Sequence, residues 1–489
     1  MAASSGWLPL SDASWTRECI GGEQSASYNQ NVGDGHTELT IEVPFSSSFS
    51  TSELIQRVRN AWLVCHSTHP HIAGQLSTGT EIPQMMKYEA LRSEQDAHAW
   101  LRETLHVVTG QTAHDVARST YSRRLQTKGK RSMLYLVTAP WADPEDANRH
   151  CLVWNLSHVL ADASSIPQLF NQLLSHVMRV PGDVDATVGE INYSRVLERL
   201  PISPVTAYEA QYRPTPEEKE RAIQEAVAQA ELYAAKLPQS VAMYPEANTT
   251  SRPHETHCIR LQYSLDESRA LLSELRRESL SITYAASAAT LLAVKQIYEK
   301  GHESGGLIGM TRSAQRWVDT SRSIPSAADV VFLWIPFEQH WFGGSTRHTI
   351  LSLGRAIRAR LAPHLTSPHY LSAASFTSRR AVAALAAAAA QADAQAAPCP
   401  PGFSPQGALG LRQEYRSSDG DAWIRAHDFV HTGRQVNDSP WVGMFSLWDR
   451  VTLSMGFDSK YHDARGMEAF MAAVKSNLGS IVEQPTANL

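Results

Sequence analysis

The apolar positions of this chain change period repeatedly, and each change marks an element. Residues 38–43 (Glu-Leu-Thr-Ile-Glu-Val) alternate apolar and polar, the period of a half-buried strand. From Ser50 the period lengthens: Leu54, Val58, Trp62 and Cys65 recur at helical spacing, and Ser50 with Glu53 makes the S-x-x-E start signal of a capping box. The pattern predicts a second helix over 94–108 and a second strand over 132–138. The run Cys151-Leu-Val-Trp-Asn-Leu-Ser157 predicts a central strand. A helix over 163–177 follows, with Ile166, Leu169, Phe170, Leu173, Leu174 and Val177 on one face.

Pro201, Pro204, Pro214 and Pro216 then break any regular pattern, and the charged run Glu217-Glu-Lys-Glu-Arg221 follows. This predicts a crossover carrying an exposed helix to about Lys236. Beyond it the alternation resumes. Strands are expected at 258–263, 306–310, 330–335, 422–431 and 450–456, and helices from the Ser264/Glu267 capping box through Arg276, then at 283–298, 348–361 and 464–481. The alanine-rich run 380–397, ending in Pro398-Cys-Pro-Pro-Gly402, reads as a surface helix and flexible loop without chemistry. Trp441, Phe445 and Trp448 read as core rather than substrate wall. The fold class is α/β (α+β), in two halves with no sequence repeat between them.

Composition narrows the partners. A length of 489 residues allows two or three domains, and 43% hydrophobic residues supply a core for each half. A net charge of −5, with no long basic block, excludes nucleic acid as a main partner. Cys19, Cys65, Cys151, Cys258 and Cys399 are widely spaced and odd in number, which suits a reducing compartment. The N-terminus, Met1-Ala-Ala-Ser-Ser-Gly-Trp7, lacks the regions of a secretory signal, and the longest apolar run, 381–390, is too short to span a bilayer. A cytoplasmic monomer with no membrane partner is the expectation.

The chemistry concentrates at His158-Val-Leu-Ala-Asp162, where the central strand meets the next helix. Of the 20 histidines, only His158 has an Asp four positions later. An imidazole at a strand end, with a carboxylate bracing the connection, is the layout of a general base. The ordinary imidazole pKa of about 6.5 leaves the ring mostly neutral and able to accept a proton at pH 7. His66, His69 and His71 invite a metal reading, but the spacing lacks the further ligands and context of a zinc site. They are read as a helix-exit loop near the surface, and no metal is assigned.

The segment Leu152-Val-Trp-Asn-Leu-Ser-His158-Val-Leu-Ala-Asp162-Ala-Ser-Ser-Ile166 resembles the active-site signature of the superfamily of chloramphenicol acetyltransferase, the plant BAHD acyltransferases and the condensation domains of nonribosomal peptide synthetases. The nearest branch is the fungal secondary-metabolite O-acyltransferases, such as trichothecene 15-O-acetyltransferase. The resemblance implies two chloramphenicol-acetyltransferase-like subdomains of mixed sheet and helices around a central tunnel. They would span residues 1–200, carrying the site, and 255–489, joined by a linker over 201–254. It implies no bound cofactor, with acyl-CoA, most simply acetyl-CoA, as co-substrate and a small-molecule alcohol as acceptor. His158 would be the base. Asp162 would support its turn by pairing with Arg312, in Gly309-Met-Thr-Arg-Ser313, with Arg316 as rival; Asp162 also suits the N-cap of the next helix. A donor for the oxyanion is expected, and no G-x-S-x-G elbow suggests an acyl-enzyme. Two features depart from the family: Ala163 where Gly is usual after the Asp, and no Asp-Phe-Gly-Trp-Gly motif. Ala163 would accord with a shifted chemistry. A carrier-protein thioester donor, a base-assisted cyclase, and a non-catalytic small-molecule binding protein are the alternatives.

Overall fold

The computed structural model describes residues 6–77, 84–125, 129–138, 149–179, 196–246, 252–317, 326–390 and 398–482. Two seven-stranded sheets, each with its own apolar core, form two lobes. In the first sheet Glu414–Arg416, Trp423–Ala426, Leu39–Ser47, Arg149–Leu156, Ser132–Thr138 and Leu105–Thr109 lie side by side, and Val430–Gly433 also pairs with Leu39–Ser47. In the second the order is Thr256–Gln262, Arg450–Asp458, Trp441–Leu447, Gly402–Ala408, Gly305–Ser313 and Ala328–Pro336, with Ser240–Val241 joining Gly305–Ser313. Both sheets are mixed: Leu105–Thr109 runs parallel to Ser132–Thr138, and Gly402–Ala408 runs parallel to both neighbours. A small four-stranded sheet near the N-terminus joins Leu8–Ser11, Ser14–Glu18, Met85–Glu89 and Gln75–Leu76.

Helices cover the sheets as the apolar stripes require. Thr51–Thr68 and Ile166–Arg179 pack on the first sheet, with Ser50 accepting the Glu53 N–H at the start of the former. Ile282–Tyr298, buried over most of its length, packs against Thr346–Thr366 and Ala464–Gly479 over the second. The crossover helix Pro216–Lys236 starts at a complete Thr215/Glu218 capping box and is exposed along nearly its whole length. That exposure matches its charged sequence.

The strand leading to His158 is tied most tightly. Arg149–Leu156 is buried along all but its first residue, between Leu39–Ser47 and Ser132–Thr138. Trp154 meets Trp62 and Phe170 edge-on, each at 5.4 Å, and its Nε1–H donates to Ser132 Oγ at 2.7 Å. Aromatic packing and a satisfied indole together fix the strand against its helices.

Several expectations need correction. The helix expected over 94–108 ends at Thr104, and Leu105–Thr109 is a strand paired in parallel with Ser132–Thr138. Its Val107-Val108-Thr109 run is β-branched, and sheet pairing overrides the helical pattern before it. The strand expected over 422–431 is two strands, Trp423–Ala426 and Val430–Gly433, both on Leu39–Ser47. The final third of the chain therefore contributes to both sheets, so 255–489 does not form one lobe alone. The alanine-rich helix begins earlier, at Ala374, and buries Val382 and Ser378, the latter hydrogen-bonded to Gln24; residues 391–397 lie outside the described residues. Phe445 is core, while Trp441 and Trp448 are half-buried.

Replacing Trp154 by Ala empties a fully buried indole site and leaves the Ser132 hydroxyl unpartnered. Denaturant unfolding should show stability reduced by about 3–5 kcal/mol. A loss below about 1 kcal/mol would mean this packing does not anchor the strand.

Candidate active site

The central strand ends at Leu156, and the N–H of Ser157, next in the chain, donates to Arg131 O at 2.8 Å. A tight turn follows, closed by the Leu160 N–H on Ser157 O at 3.0 Å. His158 opens that turn. Val159, Leu160 and Ala161 are completely buried, so three apolar anchors hold the backbone while the imidazole alone stays half-exposed. Its Nδ1 lies 3.4 Å from Ser326 Oγ, and Nε2 has no hydrogen-bond partner among the described residues.

Asp162 closes the connection from within. Its carboxylate is 2% exposed. Oδ1 accepts the N–H groups of Ser164 and Ser165, each at 3.0 Å, and Oδ2 accepts the Ala327 N–H of the opposite lobe at 2.9 Å. Ser165 Oγ accepts the Asp162 N–H and donates to Asp162 O, both at 3.0 Å, which locks the turn a second time. The carboxylate thus braces the turn and ties it to the second lobe. Ala163 is half-exposed beside it.

The expected partner of Asp162 is not Arg312. Arg312 lies directly across from Asp329 in the strand pair, bonds its Oδ2 through Nη2 at 2.7 Å and Nε at 3.1 Å, and stacks on Tyr370 at 3.3 Å. The rival Arg316 donates to Leu365 O and covers Trp317. Neither bonds Asp162, whose oxygens three backbone N–H groups already occupy.

Two further histidines stand near His158. His36 accepts from Asn437 Nδ2 at 3.1 Å, and His431 accepts from Gln406 Nε2 at 2.8 Å. Burial pulls both rings down to about 4, and the proximity of His158 adds to the effect in each. Both nevertheless keep some surface open to water.

Two of the three histidines expected near the surface, His66 and His71, are buried, while His69 is half-buried. His66 and His71 are 1% and 4% exposed, beneath the first core, with the His66 ring edge-on to Trp100 at 4.8 Å. Among the described residues no three His, Cys, Asp or Glu side chains are placed to share a metal ion.

No local pattern points to Ser326, Ala327, His36, His431 or Gln406. They reach the site through sheet register and the meeting of two lobes, and neither leaves a local period. Only the strand–His–turn signal could be read locally.

This geometry can be compared with known proteins. The solved structure of TRI3 trichothecene 15-O-acetyltransferase from Fusarium sporotrichioides shares the fold, with a TM-score of 0.82 at 15% identity over 98% of this chain and 99% of that one. The condensation domain of the Monacolin K polyketide synthase MokA does so at 0.61 and 11% identity, over 98% and 99%. The fold is therefore the one these two proteins share. A family model described as 15-O-acetyltransferase Tri3 matches residues 36–148. Acyl-CoA-dependent acyltransferase MAC1 of Pseudozyma antarctica is 34% identical over 98% of this chain and 99% of its own length, and the MAC1 of Mycosarcoma maydis is 33% identical over 95% and 87%. At that identity over nearly its whole length, the chain belongs to the acyl-CoA-dependent acyltransferase family, and it is an enzyme. The reading as a non-catalytic binding protein is set aside.

The buried rings give a pH prediction. His431 binds its proton only near pH 4 when folded, against about 6.5 when unfolded. The unfolded chain therefore holds more protons in between, and this group's contribution to stability falls as pH drops from about 6.5 to about 4. His431→Gln, which keeps an amide beside Gln406, removes that proton uptake. Calorimetric midpoints across this range should fall less steeply for the variant than for the wild type; parallel curves would contradict the assignment.

Proposed function

We propose that the enzyme transfers an acyl group, most simply acetyl, from acyl-CoA to a hydroxyl of a small-molecule secondary metabolite, with His158 as general base. The observation that carries this reading is the His158 ring: held at a rigid strand end, half-exposed, with Nε2 unpartnered. The kinetic difficulty of the reaction is the weak nucleophilicity of an alcohol near neutral pH. As the hydroxyl oxygen attacks the thioester carbonyl carbon, Nε2 takes the hydroxyl proton. The tetrahedral intermediate then collapses, the C–S bond breaks, and the departing thiolate takes that proton from the imidazolium. Base catalysis of this kind contributes roughly 10²–10⁴ in rate, and the sequence needs no serine or cysteine nucleophile for it.

The relatives support the donor class by name, and the Tri3 family description supports O-acetyl transfer. The condensation-domain likeness, at 11% identity, is one of fold and carries no argument for a carrier-protein donor.

His158→Ala should lower turnover by about 10²–10⁴ while thermal unfolding stays close to that of the wild type. Free CoA release from acetyl-CoA, followed against a panel of small primary and secondary alcohols, measures it. Equal rates for the two proteins would sink the proposal.

A further inference from the structure

Ser326 stands 168 residues from His158 in the chain and belongs to the segment that enters the second lobe, yet its Oγ lies 3.4 Å from His158 Nδ1. It is 8% exposed, so little water competes for the contact. The residue after it is held from both sides. The Ala327 N–H donates to Asp162 Oδ2 at 2.9 Å, and the Ala327 C=O accepts the Ala314 N–H, also at 2.9 Å. Its methyl packs in a separate small core with Ala207, Tyr208, Ala314 and Leu371. The Ser326 hydroxyl is therefore mounted on fixed backbone that grips both lobes.

Neutral imidazole carries one N–H and one lone pair, and a general base needs the lone pair on the nitrogen that meets the acceptor. Nε2 has no partner among the described residues, and for it to be the basic nitrogen the N–H has to sit on Nδ1. An acceptor facing Nδ1 selects that tautomer. A hydroxyl oxygen can accept there without adding charge, and the bond strengthens as the imidazolium forms. A separation of 3.4 Å is long for a resting hydrogen bond, and catalytic bonds commonly tighten only once substrate is bound.

We propose that Ser326 is a positioning residue: its Oγ accepts the Nδ1–H of His158 and keeps the Nε2 lone pair aimed at the acceptor hydroxyl. The proposal rests on His158 being the general base, as argued above. Nothing in the names of the relatives assigns a role to this position.

The test compares full-length wild type, Ser326→Ala, Ser326→Thr, Ser326→Cys and His158→Ala. Steady-state kinetics would use acetyl-CoA and the best alcohol of the panel, with ¹⁵N spectra of histidine-labelled protein recorded alongside. Ser326→Ala should lower kcat by about two- to twelve-fold, the factor expected from one lost net hydrogen bond, with KM for acetyl-CoA within about twofold of wild type. Ser326→Thr should restore most of the loss. Ser326→Cys keeps the shape with a poor acceptor, and should show the same fall in a folded protein should the alanine variant unfold. The His158 Nδ1 resonance, assigned by its loss in His158→Ala, should leave the protonated position in the alanine and cysteine variants. Wild-type kcat in folded Ser326→Ala or Ser326→Cys, or a fall that threonine does not restore and that leaves the resonance unmoved, overturns the proposal. Full activity in His158→Ala is a different result: it removes the base assignment, and the role of Ser326 with it.

Discussion

The Asp162 carboxylate is the constraint on which the site depends. It is almost wholly buried, and a buried carboxylate is tolerated only when its oxygens are occupied. Two N–H groups come from its own turn and one from the facing lobe, so the same group shapes the connection after the central strand and docks it. The direction of His158 follows. With Val159, Leu160 and Ala161 sealed in the core and Asp162 closing the turn, the imidazole has one open side. Removing the carboxylate would strand the buried Ala327 N–H, at a cost of about 1–3 kcal/mol, while Ser164 is exposed and the Ser165 N–H keeps its bond to Asp162 O.

Arg312 acts on this arrangement without touching it. Its pairing with Asp329 falls across the strand pair Gly305–Ser313 and Ala328–Pro336, at directly opposed positions. Two residues before Asp329 lies Ala327, whose N–H reaches Asp162. The arginine thus holds in register the start of the strand from which that amide is presented. A cation that the family resemblance placed on the aspartate serves it here from one strand away, and a backbone amide makes the contact.

Local signals in the sequence carried the elements whose stability is local. The start signals at Ser50 and Ser264 begin real helices, and the apolar face of 166–177 is the buried face of Ile166–Arg179. The strand–turn–helix setting of His158 was legible for the same reason. What failed depended on distant partners. Leu105–Thr109 becomes a strand only because Ser132–Thr138 offers it an edge, and 422–431 breaks in two because both pieces must pair with Leu39–Ser47. The Arg312 assignment failed likewise. Spacing along a strand says which residues share a face, while the register that sets Asp329 opposite is decided by the neighbouring strand.

The two enclosed histidines extend the argument from backbone to electrostatics. His36 and His431 stay neutral well below neutral pH because burial disfavours their charged forms, and both lie close enough to His158 for its charge to oppose theirs. A proton held on either ring would put a second positive charge near His158, and their neutrality avoids it. Asn437 and Gln406 direct amide N–H groups at their Nε2 atoms, which favours that neutral state. The first lobe orients His158 through the Asp162 turn and carries both rings, while the second sends the Ala327 amide that docks the turn and the Gln406 amide that faces His431.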